Sequence, residues 1–183
     1  MRSLLVILTL PLALGCRAPA IPSQLSEREY VIYSAWLDQA GAEMPHPLSF
    51  AVDSVALTPQ QNELQFRQCL PPRMETIFDT TSESTLSLSP GSDWLSLSDG
   101  RSAQIHPHDA PLAFPAPTEF VRFSRVAFTR FGYEAYLWVE HRTCAANGQT
   151  GCQNASGALV HGKKSNGAWS FEDTTCQAIG IGQ

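Results

Sequence analysis

The chain has 183 residues, with 12 lysines and arginines against 17 aspartates and glutamates, so its formal net charge is −5 at pH 7. An acidic chain without a basic run argues against a nucleic acid as the partner. The length suits a single domain and is sufficient to bury a core.

The first sixteen residues carry the pattern of an export signal. Arg2 supplies a positive charge, and the apolar run that follows is shorter than the roughly 20 residues that span a bilayer. The run ends in Ala13-Leu14-Gly15-Cys16, which resembles the lipobox of bacterial lipoproteins. In that family the cysteine thiol receives a diacylglycerol, and the peptide is cleaved just before it. The resemblance implies that Cys16 is lipidated; an ordinary signal peptide or a buried N-terminal helix is the alternative.

The lipobox resemblance also sets the expected organisation of the chain. Residues 1–15 are the signal peptide, residues 16–25 a flexible tether with two prolines, and residues 26–183 a single globular domain. Cleavage removes Arg2 alone among the charged residues, which leaves 11 basic against 17 acidic residues and a net charge of −6. The expected location is the bacterial cell envelope. Because Arg17 rather than aspartate follows the cysteine, the resemblance favours the outer membrane, facing the periplasm.

The cysteine count agrees with this location. Five cysteines become an even four once Cys16 holds lipid, and the remaining four can form disulfides in an oxidising compartment. Of three possible connectivities, the short loop CAANGQTGC favours Cys144–Cys152, which leaves Cys69–Cys176 as the second bond. Zinc binding is the alternative, but the spacings contain no close Cys-x-x-Cys pair.

A helix is the first predicted element of the domain. Ser26 and Glu29 form a capping box, and apolar residues then recur at helical spacing. The pattern predicts an amphipathic helix over Glu27–Gln39, which Gly41 ends.

The middle of the chain gives weaker signals. Alternation through Leu48, Phe50 and Val52 predicts a strand, and residues 58–69 begin like a second helix. Two LSLS segments around PGSD, over residues 86–98, predict a hairpin. The prolines of HPHDAPLAFPAPTEF exclude regular structure there.

The last third of the chain predicts four consecutive strands, with a hairpin turn at Asn166-Gly167. The expected fold class is α+β, with an antiparallel meander in the C-terminal half packed against the N-terminal helix and stapled by disulfides. The predicted strands are Phe120–Thr129, Tyr133–Arg142, Gly157–Lys163 and Ala168–Glu172.

Two segments, FSRVAFTRFGYEAYLWVEH and ALVHGKKSNGAWSF, resemble a family of uncharacterised exported bacterial proteins. That family carries S-R-V-G-F followed by strands and K-K-x-G-x-W near its end. Ser124, Arg125 and Val126 match the first motif, whereas Ala127 replaces its glycine. The resemblance covers the final third and, loosely, the first helix. It supports the fold class and implies no activity.

Strand register predicts how the aromatic residues are arranged. If Cys144 faces Cys152, Trp138 lies opposite Ala158 and Tyr136 lies opposite Val160. One face then carries five large apolar side chains, which the helix is expected to cover: Tyr136, Trp138, Val160, Trp169 and Phe171. The alternative is an aromatic ligand platform of Tyr136, Trp138 and Trp169, although such stripes more often form core.

Two groups of polar residues are weak candidates for chemistry. His161 and Glu172 face each other in the predicted last hairpin and could act as a base with its orienting carboxylate, although a surface pair is the more common outcome. His106, His108 and Asp109 in HPHD could hold a metal, although nothing nearby fixes their orientation.

No motif in the sequence identifies a catalytic centre, and we expect no cofactor. The interpretation we favour is a lipid-anchored binding or interaction module, for example an inhibitor of an envelope hydrolase. Its expected partners are the membrane, through the lipid, and another envelope protein or a glycan, with no nucleic acid. The alternative is an envelope hydrolase that uses a histidine and a carboxylate.

Overall fold

The computed structural model describes residues 26–43, 49–56, 70–72, 74, 94–97, 100–146 and 152–179. One helix and eight strands have both of their ends within these residues. The helix is α1 (Glu27–Glu43), and the strands are β1 (Ser49–Asp53), β2 (Trp94–Ser96), β3 (Ser102–His106), β4 (Thr118–Phe123), β5 (Ala127–Phe128), β6 (Glu134–Cys144), β7 (Cys152–Ser165) and β8 (Ala168–Ile179).

All eight strands belong to one mixed sheet, in the order β2-β3-β1-β4-β6-β7-β8, with β5 paired to β6. The neighbours β4, β6, β7 and β8 are antiparallel, which confirms the meander in the C-terminal half. The meander is only part of the sheet, and the prediction did not extend further: β1, β2 and β3 continue the sheet beyond β4, and it is mixed because β1 lies parallel to both β3 and β4. Alternating hydrophobicity marks a strand but carries no information about the direction of its neighbour.

Helix α1 begins at the predicted capping box. The Ser26 amide donates to Glu29 Oε2 over 2.9 Å, and the Glu29 amide donates to Ser26 Oγ over 3.4 Å. The predicted stop at Gly41 is wrong, since the helix continues to Glu43. A Cβ at Gly41 would lie 2.7 Å from the Arg101 guanidinium and 3.2 Å from the Phe50 ring, so this glycine permits close packing inside the helix.

The main core lies between α1 and one face of the sheet, here called the helix-side face. Ile32, Tyr33 and Leu37 of the helix are completely buried against it. The face contributes apolar residues from every strand between β2 and β8 except β5, including Leu95, Ile105, Val52, Phe123, Leu137, Val160 and Phe171.

A β-bulge changes the predicted register of β6 and β7. Cys144 pairs with Cys152 as expected, but Asn154 and Ala155 together oppose Arg142, and the ladder resumes one residue out of step. Trp138 therefore pairs with Leu159 and Tyr136 with His161. A slip of one residue moves each side chain to the other face of the sheet.

The predicted aromatic face is consequently divided. Val160, Trp169 and Phe171 pack in or against the core under α1, as predicted. Tyr136 and Trp138 lie on the opposite face, so the prediction that α1 covers them is wrong, and they do not form a platform with Trp169.

The last hairpin follows the prediction. Asn166 and Gly167 form its turn with φ values of 51° and 86°, the left-handed conformations that an Asn-Gly turn requires. His161 therefore pairs with Glu172, as expected.

The opposite face holds a second, smaller core at the far end of β6, built from Ala51, Phe114, Phe120 and Cys144. Phe114 lies in the proline-rich segment and forms an isolated bridge with Ala146, and residues 107–117 cover the cluster without a helix or strand, as predicted. The prediction is wrong for the two ends of the segment, because β3 ends at His106 and β4 begins at Thr118. The predicted Cys144–Cys152 disulfide is present.

Several predictions fall outside the described residues. They are the signal peptide, the lipidated Cys16, the tether, the second helix, most of the PGSD hairpin, and the Cys69–Cys176 bond, which involves the side chains of both cysteines. Of the second LSLS segment, β2 is present as a strand and pairs with β3. No helix among the described residues is both long and apolar enough to cross a bilayer.

Candidate functional site

The S-R-V motif forms a junction between the helix and the sheet. Between β4 and β5, Ser124 keeps the chain bonded to β6. Its amide donates to the Trp138 carbonyl over 2.9 Å, and its side-chain Oγ accepts from the Trp138 amide over 2.8 Å. The Tyr33 hydroxyl donates to the Ser124 carbonyl over 2.8 Å. Burial raises the pKa of Tyr33 well above its usual value, which keeps this donor protonated.

Arg125 of the same motif forms a buried ion pair with Glu29. Its Nε lies 2.5 Å from Glu29 Oε1, and its Nη2 lies 3.0 Å from Oε2. The Val126 amide also donates to Oε1, over 3.3 Å. Glu29 and Arg125 are only 3 % and 8 % exposed. The capping-box glutamate therefore also fixes the start of α1 to the sheet, and the motif has a structural role.

A polar relay of Glu119, His141 and Ser156 lies on the helix-side face of the sheet. Strand pairing places His141 beside Ser156, and Ser156 Oγ lies 2.5 Å from His141 Nε2. The other ring nitrogen, Nδ1, lies 3.6 Å from Glu119 Oε2, which is an ion-pair distance longer than a hydrogen bond. The second carboxylate oxygen accepts from Thr143 Oγ1 over 2.7 Å.

This connectivity is that of a serine nucleophile, a histidine base and an orienting carboxylate. The polar contact with His141 is the main cause that lowers the pKa of Glu119; burial opposes it, and the Thr143 hydrogen bond adds to it. Glu119 is buried, whereas the His141 side chain is 44 % exposed, so an external substrate can approach the ring.

The sequence interpretation missed this relay because of the register. Without the bulge, Ser156 would lie opposite Glu140, on the other face from His141. The extra residue in β7 brings the hydroxyl to the ring. The local signal for a bulge is weak: the polar Asn154 precedes the small residues Ala155, Ser156 and Gly157, and this pattern does not specify a bulge.

The predicted pair of His161 and Glu172 is brought together on the opposite face. His161 Nδ1 lies 3.4 Å from Glu172 Oε1, and Nε2 lies 3.6 Å from Glu134 Oε1. The Tyr136 ring stacks on the imidazole at 4.3 Å. Tyr136 and Glu134 were not predicted as neighbours, because the bulge sets their position.

Lys163 competes for the same carboxylate. Its Nζ lies 2.6 Å from Glu172 Oε1, and this hydrogen bond raises the pKa of Lys163 and lowers the pKa of Glu172. Glu172 is therefore shared between a lysine and a histidine, which is the arrangement of a surface charge cluster.

The two histidines of HPHD have separate partners. The His106 ring is buried against Phe114 and Phe120, at 5.2 and 5.8 Å between ring centroids. His108 Nδ1 lies 2.9 Å from Asp53 Oδ2, whereas Asp109 is exposed. In the described part of the chain, no group of three or more His, Cys, Asp or Glu side chains could hold a metal ion.

Asp53 belongs to a charged network on the opposite face. Arg122 donates from Nε to Asp53 over 3.1 Å and from Nη1 to Glu140 over 3.4 Å. Asp53 and Glu140 are 2 % and 6 % exposed, and Arg122 is the cation that both share, while His108 and the Val55 amide also contact Asp53.

A cleft lies between the end of α1 and the edge strand β8. It has a volume of about 320 Å³ and is lined by Trp36, Gln39, Ala40, Phe171 and Asp173. The Gln39 side-chain amide occupies the strand edge, because it donates to the Phe171 carbonyl and accepts from the Phe171 amide, both over 2.8 Å. Trp169 stacks beside Phe171, with ring centroids 6.5 Å apart.

Comparison of the chain with protein-family models, with curated proteins and with solved structures finds no match. The two resemblances drawn from the sequence therefore stay predictions.

Proposed function

We propose that the protein is a lipid-anchored component of the bacterial envelope and works as a binding or interaction module without catalytic activity. The residues Ala13 to Cys16 support the anchor, and Arg17 after the cysteine supports the outer-membrane location. Inhibition of an envelope hydrolase is one role that suits a small, stapled, acidic module of this kind.

The observation that carries the binding role is the cleft beside β8. Ligand sites combine apolar walls with a few polar groups that orient the ligand. Trp36 and Phe171 supply aromatic walls here, while the exposed Asp173 carboxylate supplies a negative charge at the rim. These groups suit a cationic segment of an envelope protein, and aromatic walls also suit a glycan.

Site-specific photocrosslinking in living cells tests the binding role. A photoreactive amino acid in place of Asp173 should give a defined adduct, whose partner is identified by mass spectrometry. The matched control is the same substitution at Gln153, which is exposed near the Cys144–Cys152 end of β7. Equal adducts at both positions, or none at 173, would count against the cleft. Intact mass after detergent extraction tests the anchor separately, because acylated Cys16 adds the mass of its lipid.

The Glu119–His141–Ser156 relay supports a second candidate, an envelope hydrolase for acyl substrates. In this function Ser156 Oγ attacks a carbonyl carbon while His141 Nε2 takes the hydroxyl proton and returns it to the leaving group. Water then releases the acyl group from the serine. This candidate retains the predicted histidine–carboxylate chemistry but moves it from His161 and Glu172 to other residues.

An activity-based label separates the two candidates. If the relay is catalytic, a fluorophosphonate probe should label Ser156, and the substitutions Ser156→Ala and His141→Ala should each abolish the label. Ser170→Ala is the control, because Ser170 is exposed on β8 and lies outside the relay. Absence of label on the wild-type protein would exclude the serine mechanism.

A further inference from the structure

Exposed apolar side chains concentrate at one end of the described structure. Phe131 is 78 % exposed and Tyr133 is 65 % exposed, and both lie in the turn between β5 and β6. The turn packs on the first turn of α1, because the Arg28 guanidinium fills the space beside Gly132, where φ is 69°. Val31, 53 % exposed, follows in the next turn of that helix.

Three cations of this end each lie over an aromatic ring. Arg28 is 4.4 Å from the Phe128 ring, Arg130 is 5.8 Å from the Phe131 ring, and Lys164 is 5.8 Å from the Trp169 ring. The Lys164 amide also donates to the Tyr133 carbonyl over 2.8 Å, which joins the last hairpin to the turn. We call Arg28, Arg130, Phe131, Tyr133 and Lys164 the cationic tip.

The carboxylates nearby do not cancel this charge completely. Glu172 is bound by Lys163 at 2.6 Å, and Glu134 faces His161 on the other side of the sheet. Two carboxylates adjoin the tip in sequence, Glu27 before Arg28 and the 44 % exposed Glu134 after Tyr133, so the three cations of the tip outnumber them. The chain as a whole has a net charge of −5, so a surface with this excess of cations stands apart from the rest of the chain.

The position of the tip follows from the proposed lipid anchor. Ser26 lies ten positions after Cys16, and this length spans at most about 35 Å when fully extended. Arg28 comes two residues after Ser26. The described structure therefore begins beside the tip, and an anchor at Cys16 would place this end within about 35 Å of the membrane.

We propose that the cationic tip rests on a membrane surface that contains anionic phospholipids. Aromatic side chains such as Phe131 and Tyr133 favour the boundary between headgroups and acyl chains. Arginine and lysine beside them are attracted to anionic headgroups. This inference rests on the lipid anchor of the proposed function, and it adds an orientation: the tip faces the membrane, and the Cys144–Cys152 end points away.

Fluorescence quenching in vesicles tests the orientation. The processed full chain is purified from the envelope and reconstituted with brominated phospholipids that include phosphatidylglycerol. A tryptophan introduced by Phe131→Trp should be quenched about twofold relative to the native tryptophans, because it lies at the interface. Gln153→Trp is the control, about 35 Å away along the strands, and should show no added quenching.

Charge changes of equal size then test the role of the cations. In the Phe131→Trp chain, Arg130→Gln should reduce the added quenching about fivefold or abolish it, as expected for loss of one cation at an anionic surface. Arg142→Gln, the same charge change near the disulfide, should leave the quenching unchanged. Replacing phosphatidylglycerol by phosphatidylcholine should act like Arg130→Gln.

Two results would overturn the inference. One is equal quenching at positions 131 and 153. The other is quenching at position 131 that stays the same after Arg130→Gln and after phosphatidylglycerol is replaced by phosphatidylcholine. A tip that binds a protein would leave position 131 unquenched but would crosslink to that protein. The intact mass of the same preparation reports whether Cys16 is acylated, so failure of the anchor and failure of the tip are read separately.

Discussion

The two faces of the sheet are stabilised in different ways. The helix-side face is apolar along most of its width, and α1 covers it with Ile32, Tyr33 and Leu37. The opposite face combines a small apolar cluster with paired charges, in which Arg122 compensates the buried Asp53 and Glu140. A continuous apolar surface needs only one amphipathic helix as a cover. The stability of a face that is interrupted by charges depends on the geometry of each ion pair.

Each face also holds exceptions to this description. Trp138 is a very large apolar side chain on the opposite face, where the paired charges lie, and it is only 1 % exposed. It lies across Gly157, where an added Cβ would approach the indole to 2.7 Å. Conversely, the buried Glu29–Arg125 pair lies where α1 meets the sheet. These exceptions give the sharpest tests.

The largest expected effect comes from Trp138. Trp138→Ala should lower the free energy of unfolding by about 3–5 kcal/mol, as for other fully buried aromatics. Trp169 is only half-buried at the edge of the helix-side core, so Trp169→Ala should cost clearly less. Urea unfolding followed by circular dichroism measures both. A larger effect at Trp169 would contradict the register that the bulge imposes.

Breaking the ion pair at the helix start should have an effect of similar or slightly smaller size. Glu29→Ala leaves the Arg125 charge buried and removes the acceptor of the Ser26 and Val126 amides. We expect a loss of about 3–5 kcal/mol in unfolding free energy.

The double variant Glu29→Met with Arg125→Leu is the control for this prediction. It should lose less than Glu29→Ala, because no buried charge then lacks its partner. If the double variant is the less stable of the two, the pair contributes net stability beyond the compensation of its own charges.

Removal of the disulfide should have a smaller effect, confined to the opposite face. The variant Cys144→Ser with Cys152→Ser opens a 9-residue loop, which corresponds to about 2.6 kcal/mol on the chain-entropy account. Hydrogen exchange should rise first around Phe114 and Phe120, which pack with Cys144. Faster exchange in α1 before these residues would show that the two faces are not independent.

The smallest effect concerns pH and Glu119. The folded state lowers the pKa of this carboxyl below its ordinary value of 4.5, so Glu119 stabilises the fold above that pH. The stabilisation is lost as the pH falls through the lowered pKa. Glu119→Gln should therefore remove about 1 kcal/mol at neutral pH and flatten the acid limb of stability below about pH 4.5. Unfolding curves at several pH values measure this, with Asp109→Asn as the exposed control.

Local sequence signals predicted the elements whose cause is local. The capping box of Ser26 and Glu29 starts α1, Asn166-Gly167 forms the hairpin turn, and the short cysteine loop closes as Cys144–Cys152. Each of these depends on residues close together in sequence, whose conformational preferences are strong enough to act alone.

Tertiary structure alone decided which side chains meet. The extra residue at Asn154-Ala155 shifts β7 against β6 by one position. Tyr136 and Trp138 therefore lie on the face opposite to Val160, and Ser156 lies beside His141. Contacts distant in sequence gave Glu29 its partner Arg125 and set β1 parallel to two neighbours. Side chains alternate faces with a period of two, so a bulge reverses every assignment beyond it. Its energy depends on packing across the whole sheet, and the local sequence does not contain that information.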